Sequence, residues 1–154
     1  MRITGGGAAS IRLSVPPEAR SACRVRECVA EFLATHCVPD ADAQEFLSAV
    51  SEAFANAIEH ARTARSIEVA CRLAGGERLV ATIVDDGVGF DAAARMREAM
   101  LPHALAERGR GLPIMQRYTD HFEVRSTPGA GTSVILERLV RRAGEREDED
   151  DVAS

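Results

Sequence analysis

Hydrophobic and polar positions first alternate at Ile11, Leu13 and Val15, with Arg12 and Ser14 between them, the period of a strand that buries one face. Pro16 and Pro17 stop it. Because proline suits the first turn of a helix, a helix is predicted from there to about His36, with Val25, Val29, Phe32 and Leu33 on one side and Arg20, Arg24, Arg26 and Glu31 largely elsewhere. Val38-Pro39 breaks that helix, and Asp40 or Asp42 can cap the next one, residues 41–62. Phe46, Leu47, Val50, Phe54, Ala57, Ile58 and Ala61 form its apolar stripe, the clearest in the chain. At about 100° per residue, Glu52, Asn56 and Glu59 fall on the far side.

Two strand-like runs follow, Ser66 to Leu73 and Arg78 to Val84, around the hairpin-length turn Ala74-Gly75-Gly76-Glu77. After Asp85-Asp86-Gly87-Val88-Gly89, residues 91–108 are less regular, with a short helix around Ala92 to Met100 and a break at Pro102. This segment reads as a mobile lid. A helix from Leu112 to Tyr118 and strands His121 to Ser126 and Thr132 to Val140 complete the domain. The order predicts a mixed sheet with helices on one face. A doubly wound sheet would need regular alternation of strands and helices, which the runs do not show.

The 154 residues suit a single domain, here residues 11–141, behind a loose Gly/Ala/Ser-rich start at 1–10. The net charge of −5 is concentrated in Glu145 to Asp151, which by itself sums to −5, so 142–154 reads as an acidic disordered tail. With the remainder neutral, no basic field would draw the chain to nucleic acid or anionic membranes. Cys23, Cys28, Cys37 and Cys71 form no CxxC pair and read as free thiols. There is no signal-peptide pattern and no run of ~20 apolar residues, so a soluble cytoplasmic protein is expected.

Four features could carry chemistry. Glu52 and Asn56, four apart on a helix, point the same way with Cβ atoms roughly 5–6 Å apart. An amide oxygen so placed can ligate Mg²⁺ while a carboxylate orients or deprotonates a nucleophile, although the same spacing also describes a solvated helix face. In Asp85-Asp86-Gly87-Val88-Gly89-Phe90, an acid at a strand end can accept from an exocyclic amine while Gly87 and Gly89 let backbone approach a flat ring; a plain turn with a capping Asp is the alternative. Gly109-Arg110-Gly111-Leu112 feeds a helix N-terminus that favours phosphate, or is a hinge for the lid. Thr132 opens the last strand, where its hydroxyl could reach the same ligand as Asp85 or be an ordinary strand residue.

Taken in this order, the motifs resemble those of the GHKL superfamily of Bergerat-fold ATPases and kinases, from about Ile11 to Leu139. Ser51 to Ala61 is similar to its N-box, Asp85 to Gly89 to its first glycine box and Glu107 to Leu112 to its second. The resemblance implies an α+β fold, a two-layer α/β sandwich whose mixed, mostly antiparallel sheet carries its helices on one face. Within the superfamily the chain looks most like RsbW/SpoIIAB-type anti-sigma factor serine/threonine kinases.

That resemblance implies Asn56 as Mg²⁺ ligand, Glu52 as catalytic base, Asp85 as adenine reader, and Gly87, Gly89, Gly109 and Gly111 as shapers of the ATP pocket and its lid. Arg110, Leu112 and Thr132 join the nucleotide site. Arg20, Arg24 or Arg26 would serve a partner-binding surface. The implied partners are a sigma factor and a STAS-type anti-anti-sigma protein with an acceptor serine, and the implied state is a homodimer. An ATP-binding regulatory module without kinase activity and a detached histidine-kinase catalytic domain remain the alternative readings.

Overall fold

The computed structural model describes residues 2–6, 9–60, 65–99 and 111–141. In chain order the elements are β1 (Arg2–Gly6), β2 (Ser10–Val15), α1 (Ala19–Thr35), α2 (Asp40–His60), β3 (Ile67–Ala74), β4 (Arg78–Asp85), α3 (Ala92–Ala99), α4 (Gly111–Tyr118), β5 (His121–Ser126) and β6 (Thr132–Leu139). The strands form one sheet in the order β1-β2-β3-β4-β6-β5, antiparallel at each described pairing. The last strand is thus inserted between β4 and β5.

The predicted elements are present within a residue or two where they are described; 61–62, the end of the second predicted helix, lie outside the described residues. One element was not expected. Residues 1–10 were expected to be loose, yet Arg2–Gly6 pairs along β2 from Arg2↔Ser14 to Gly6↔Ser10. Glycine weakens a strand by its backbone entropy, but an edge strand whose N–H and C=O groups find a ready partner needs little from its side chains. The acidic segment 142–154 lies outside the described residues.

The core lies between the sheet and α1, α2 and α4. Along β3, Ile67, Val69 and Cys71 are buried while Glu68 and Arg72 are exposed, the period-2 signature of a sheet covered on one face. Val25, Val29, Phe32 and Leu33 of α1 and Phe46, Val50 and Phe54 of α2 fill the space above. The buried face of α2 also includes Ala49 and Ala53, wider than the predicted stripe, because α4 packs along that flank and brings in buried Met115. The cysteines are free, and burial pushes the Cys71 thiol up to about 12, so it stays a protonated core residue.

Helix α1 ends in a Schellman motif: Val38 N–H donates to Leu33 O (3.1 Å) and Cys37 N–H to Ala34 O (3.0 Å). Cys37 holds the left-handed position, at φ 53°, where glycine is the usual occupant. Asp42 was expected as a possible cap for α2. Its carboxylate instead receives Arg138 Nε (3.0 Å) and Nη2 (2.8 Å) on one oxygen and the Arg141 N–H (3.0 Å) on the other. Arg138 also donates to Tyr118 O and pairs with Glu45, which ties the end of α4 and the end of β6 to the start of α2.

Candidate functional site

Inward-facing residues of β4 run Leu79, Ala81, Ile83 and then Asp85; those of β6 run Leu136, Val134 and then Thr132. Both series are apolar until the last position, where the period that builds the core places an acid and a hydroxyl side by side, Asp85 opposite Thr132. Both are buried, at 4% and 7% exposure. They form one wall of a small pocket, whose other lining includes Asn56 and His60 from α2, Phe90 from the loop after β4, Met115 from α4 and Val124 from β5. Such a mainly apolar cavity with few convergent polar groups is the common form of a small-molecule site.

Asp85 carries the chemistry of this wall. Its Oδ1 accepts the Gly87 N–H at 2.9 Å, whereas its Oδ2 is buried with no hydrogen-bond partner among the described residues. Desolvation pushes the carboxyl above its ordinary value of 3.8, reinforced by Asp86 and opposed by the Gly87 N–H, by His60 and by the Thr132 backbone N–H. A buried acceptor left open is costly unless something donates to it, and the pocket is where a donor can enter.

Two glycines bring the surrounding backbone close. Gly89 adopts φ +62°, and a Cβ there would stand 2.2 Å from the Thr127 carbonyl oxygen; Gly131 adopts φ +80°, and its Cβ would stand 2.2 Å from the Asp85 carbonyl oxygen. The Gly129 N–H closes the same junction on Val88 O at 2.6 Å. Gly87 is buried in the turn that Asp85 organises.

Asn56 is half-buried and lines the pocket beside Ala57, so it borders the apolar face of α2 instead of lying opposite to it. Glu52, one turn earlier, is part-exposed and is not in the described lining. Gly111 and Leu112 open α4, whose Met115 reaches the pocket floor. Gly109 and Arg110 lie outside the described residues, as do residues 100–108 of the predicted lid. Of the α1 arginines, Arg20 pairs with Glu18, Arg24 with Glu27, and Arg26 donates to Ser51 Oγ at 3.0 Å.

Sequence reasoning passed over His60, Gly131 and Ser126. His60 sits four residues after Asn56, hence on the same face, with its ring 4.8 Å from that of Phe90. Its signal was that spacing. Gly131 was visible only as a turn glycine, and Ser126 only as the end of a strand.

Comparison with known proteins defines the class first. Residues 15–138 match the histidine kinase-like ATPase domain family, and the chain belongs to it. More particularly, it is similar to anti-sigma F factors: 32% identical to that of Oceanobacillus iheyensis over 124 residues, 77% of this chain and 84% of the relative. It is 29% identical to that of Thermoanaerobacter sp. over 118 residues, 75% and 82% of the two chains.

The fold resembles that of the RsbU and RsbW domains of Rv1364c from Mycobacterium tuberculosis, with TM-score 0.67 and 23% identity. That match covers 88% of this chain and only 34% of the larger one. A chain of the SiaB-SiaC complex from Pseudomonas aeruginosa gives TM-score 0.64 at 13% identity, covering 82% and 87%. These matches agree with the two-layer sandwich expected from sequence.

Membership of an ATPase family implies ATP as the ligand, and the residues fit it. The open Asp85 Oδ2 suits an amino group on a purine, and the apolar walls suit the ring. Among the described residues no group of three His, Cys, Asp or Glu could hold a metal, but Mg²⁺ that travels with a triphosphate needs only one or two protein oxygens, and Asn56 offers one. No helix among the described residues is long and apolar enough to cross a membrane.

Proposed function

We propose that this chain is an anti-sigma factor and an ATP-dependent protein serine/threonine kinase, which sequesters a sigma factor and phosphorylates a serine on a STAS-type anti-anti-sigma partner. The observation that carries the nucleotide part is the buried, unpartnered Oδ2 of Asp85 in a glycine-shaped apolar pocket with Asn56 across it. Similarity to anti-sigma F factors over three quarters of the chain supports the partner-switching part.

Bound Mg·ATP supplies the phosphoryl group and a divalent charge that offsets the triphosphate. In this reading Asp85 and Thr132 take the purine edge, Gly87 and Gly89 keep the backbone clear of the ring, and the Asn56 amide oxygen holds the metal. Gly109, Arg110, Gly111 and Leu112 serve the phosphates. Glu52 accepts the proton of the partner's serine hydroxyl at its carboxylate. The chemistry needs mostly positioning and charge neutralisation, so no nucleophile of this chain is required.

Glu52 stands outside the described lining, which favours one other reading, a module in which ATP tunes partner affinity without phosphate transfer. Glu52→Gln separates them. With purified partner and labelled ATP, the variant is expected to bind ATP as tightly as wild type and to transfer phosphate at least about 100-fold more slowly; undiminished transfer removes Glu52 as the base. Acid-stable product marks phosphoserine, and acid-labile product marks a histidine kinase.

A further inference from the structure

Three inward-facing polar residues lie in a row across the sheet: Asp85 on β4, Thr132 on β6 and Ser126 on β5, paired Asp85↔Thr132 and Ser126↔Thr132. Asp85 and Thr132 line the pocket and Ser126 does not. Ser126 is nevertheless the hub of the local hydrogen bonds. Its Oγ receives the Phe90 N–H at 2.9 Å, donates to Gly131 O at 3.1 Å and lies 2.7 Å from Thr132 Oγ1.

A hydroxyl has one proton and two lone pairs. With the Ser126 proton on Gly131 O and one lone pair on the Phe90 N–H, the short contact to Thr132 is a hydrogen bond only if Thr132 donates. The reverse polarity leaves Ser126 Oγ and Gly131 O facing each other at 3.1 Å with no proton between them. We infer that Ser126 is a positioning residue that turns the Thr132 proton away from the pocket, so that Asp85 Oδ2 and Thr132 Oγ1 present two adjacent acceptors.

Two acceptors select a group with two protons: an exocyclic amine directly, or through a water that it orders. A ring carbonyl at the same place meets lone pairs only. Ser126 thereby sets 6-amino over 6-oxo purine selectivity without touching the nucleotide. This rests on the reading of the pocket as a purine nucleotide site, and Phe90, held by the same hydroxyl, is positioned with it.

The test is calorimetric binding of Mg·ATP and Mg·ITP, which differ at C6, to the full chain. Wild type is expected to prefer ATP by at least roughly ten-fold, and Ser126→Ala to lower that preference by roughly ten-fold, the scale of one hydrogen bond whose direction is lost. Ser126→Thr keeps the hydroxyl and retains the preference. On a Thr132→Val background, Ser126→Ala changes the ratio no further, and amide exchange at Phe90 speeds up in Ser126→Ala.

A folded Ser126→Ala protein with the wild-type ratio overturns the role of Ser126 while leaving the nucleotide site standing. Equal affinity of wild type for ATP and ITP overturns the two-acceptor arrangement. Failure of wild type to bind either nucleotide removes the reading of the pocket and this inference with it. If Ser126→Ala does not fold, Ser126→Cys, close in size and a poor hydrogen-bonding group, is judged by the same ratio.

Discussion

Asp42, in the first turn of α2, and Asp85, at the end of β4, are each 4% exposed. Around Asp42 both oxygens are occupied, one by the Arg138 guanidinium and the other by the Arg141 N–H. Around Asp85 one oxygen receives the Gly87 N–H and the other receives nothing among the described residues. The two acids are buried to the same extent, and the difference lies in when the cost of burial is offset: at folding for Asp42, and at ligand binding for Asp85. A completed buried acid is a structural tie; an incomplete one facing a cavity is a candidate for recognition.

The largest test of this contrast is Asp42→Ala. It leaves Arg138, with 14% of its side chain exposed, only Glu45 and a carbonyl for partners, and is expected to destabilise the fold by about 3 kcal/mol in urea denaturation. Nucleotide affinity, measured where the variant is folded, is expected to hold. A stability loss below about 1 kcal/mol would show that Asp42 is no tie.

Asp85→Asn is expected to act in the opposite sense. A carboxyl whose pKa is raised on folding contributes most below its unfolded value of 3.8, where it is protonated, and that contribution is lost as pH rises through the raised folded value. The neutral amide escapes this loss, so the nucleotide-free variant should melt higher than wild type at pH 7. Its ATP affinity should fall by about 2 kcal/mol, the scale of a hydrogen bond to a charged group. For the same reason wild-type affinity should weaken as pH drops through the raised value, since a protonated oxygen stops accepting. Lower melting of Asp85→Asn, with ATP affinity intact, would place Asp85 with Asp42.

The smallest expected effect serves as a control outside the pocket lining. Cys37→Gly relieves a side chain at φ 53° and should stabilise the protein by about 1 kcal/mol in thermal melts, with unchanged ATP binding.

Helices and most strands were legible because their periods are local: the α1 and α2 stripes, the alternation of Ile11 to Val15 and the glycine turn at 74–77 each specify their own segment. Asp85 and Asn56 were legible as a spaced set, and the structure brings both to one pocket. What the chain could not disclose was adjacency. Thr132 becomes a neighbour of Asp85 only through the strand order β4-β6-β5, whereas Ser126 faces Thr132 across the hairpin that the turn at 128–131 announces. The strand at Arg2–Gly6 was hidden for a related reason, since its glycines are held by backbone pairing that no side-chain pattern announces.

The insertion of β6 between β4 and β5 also bears on how the protein is made. Chains leave the ribosome from the N-terminus at roughly 5–20 residues per second, and early segments can fold before late ones exist. β1 to β4 with α1 and α2 can assemble from consecutive chain, but Asp85 stays on an unpaired sheet edge until Thr132 to Leu139 has emerged. The nascent protein therefore exposes an open β-edge beside its half-built pocket, and gains the ability to bind a nucleotide only once β6 has paired with β4.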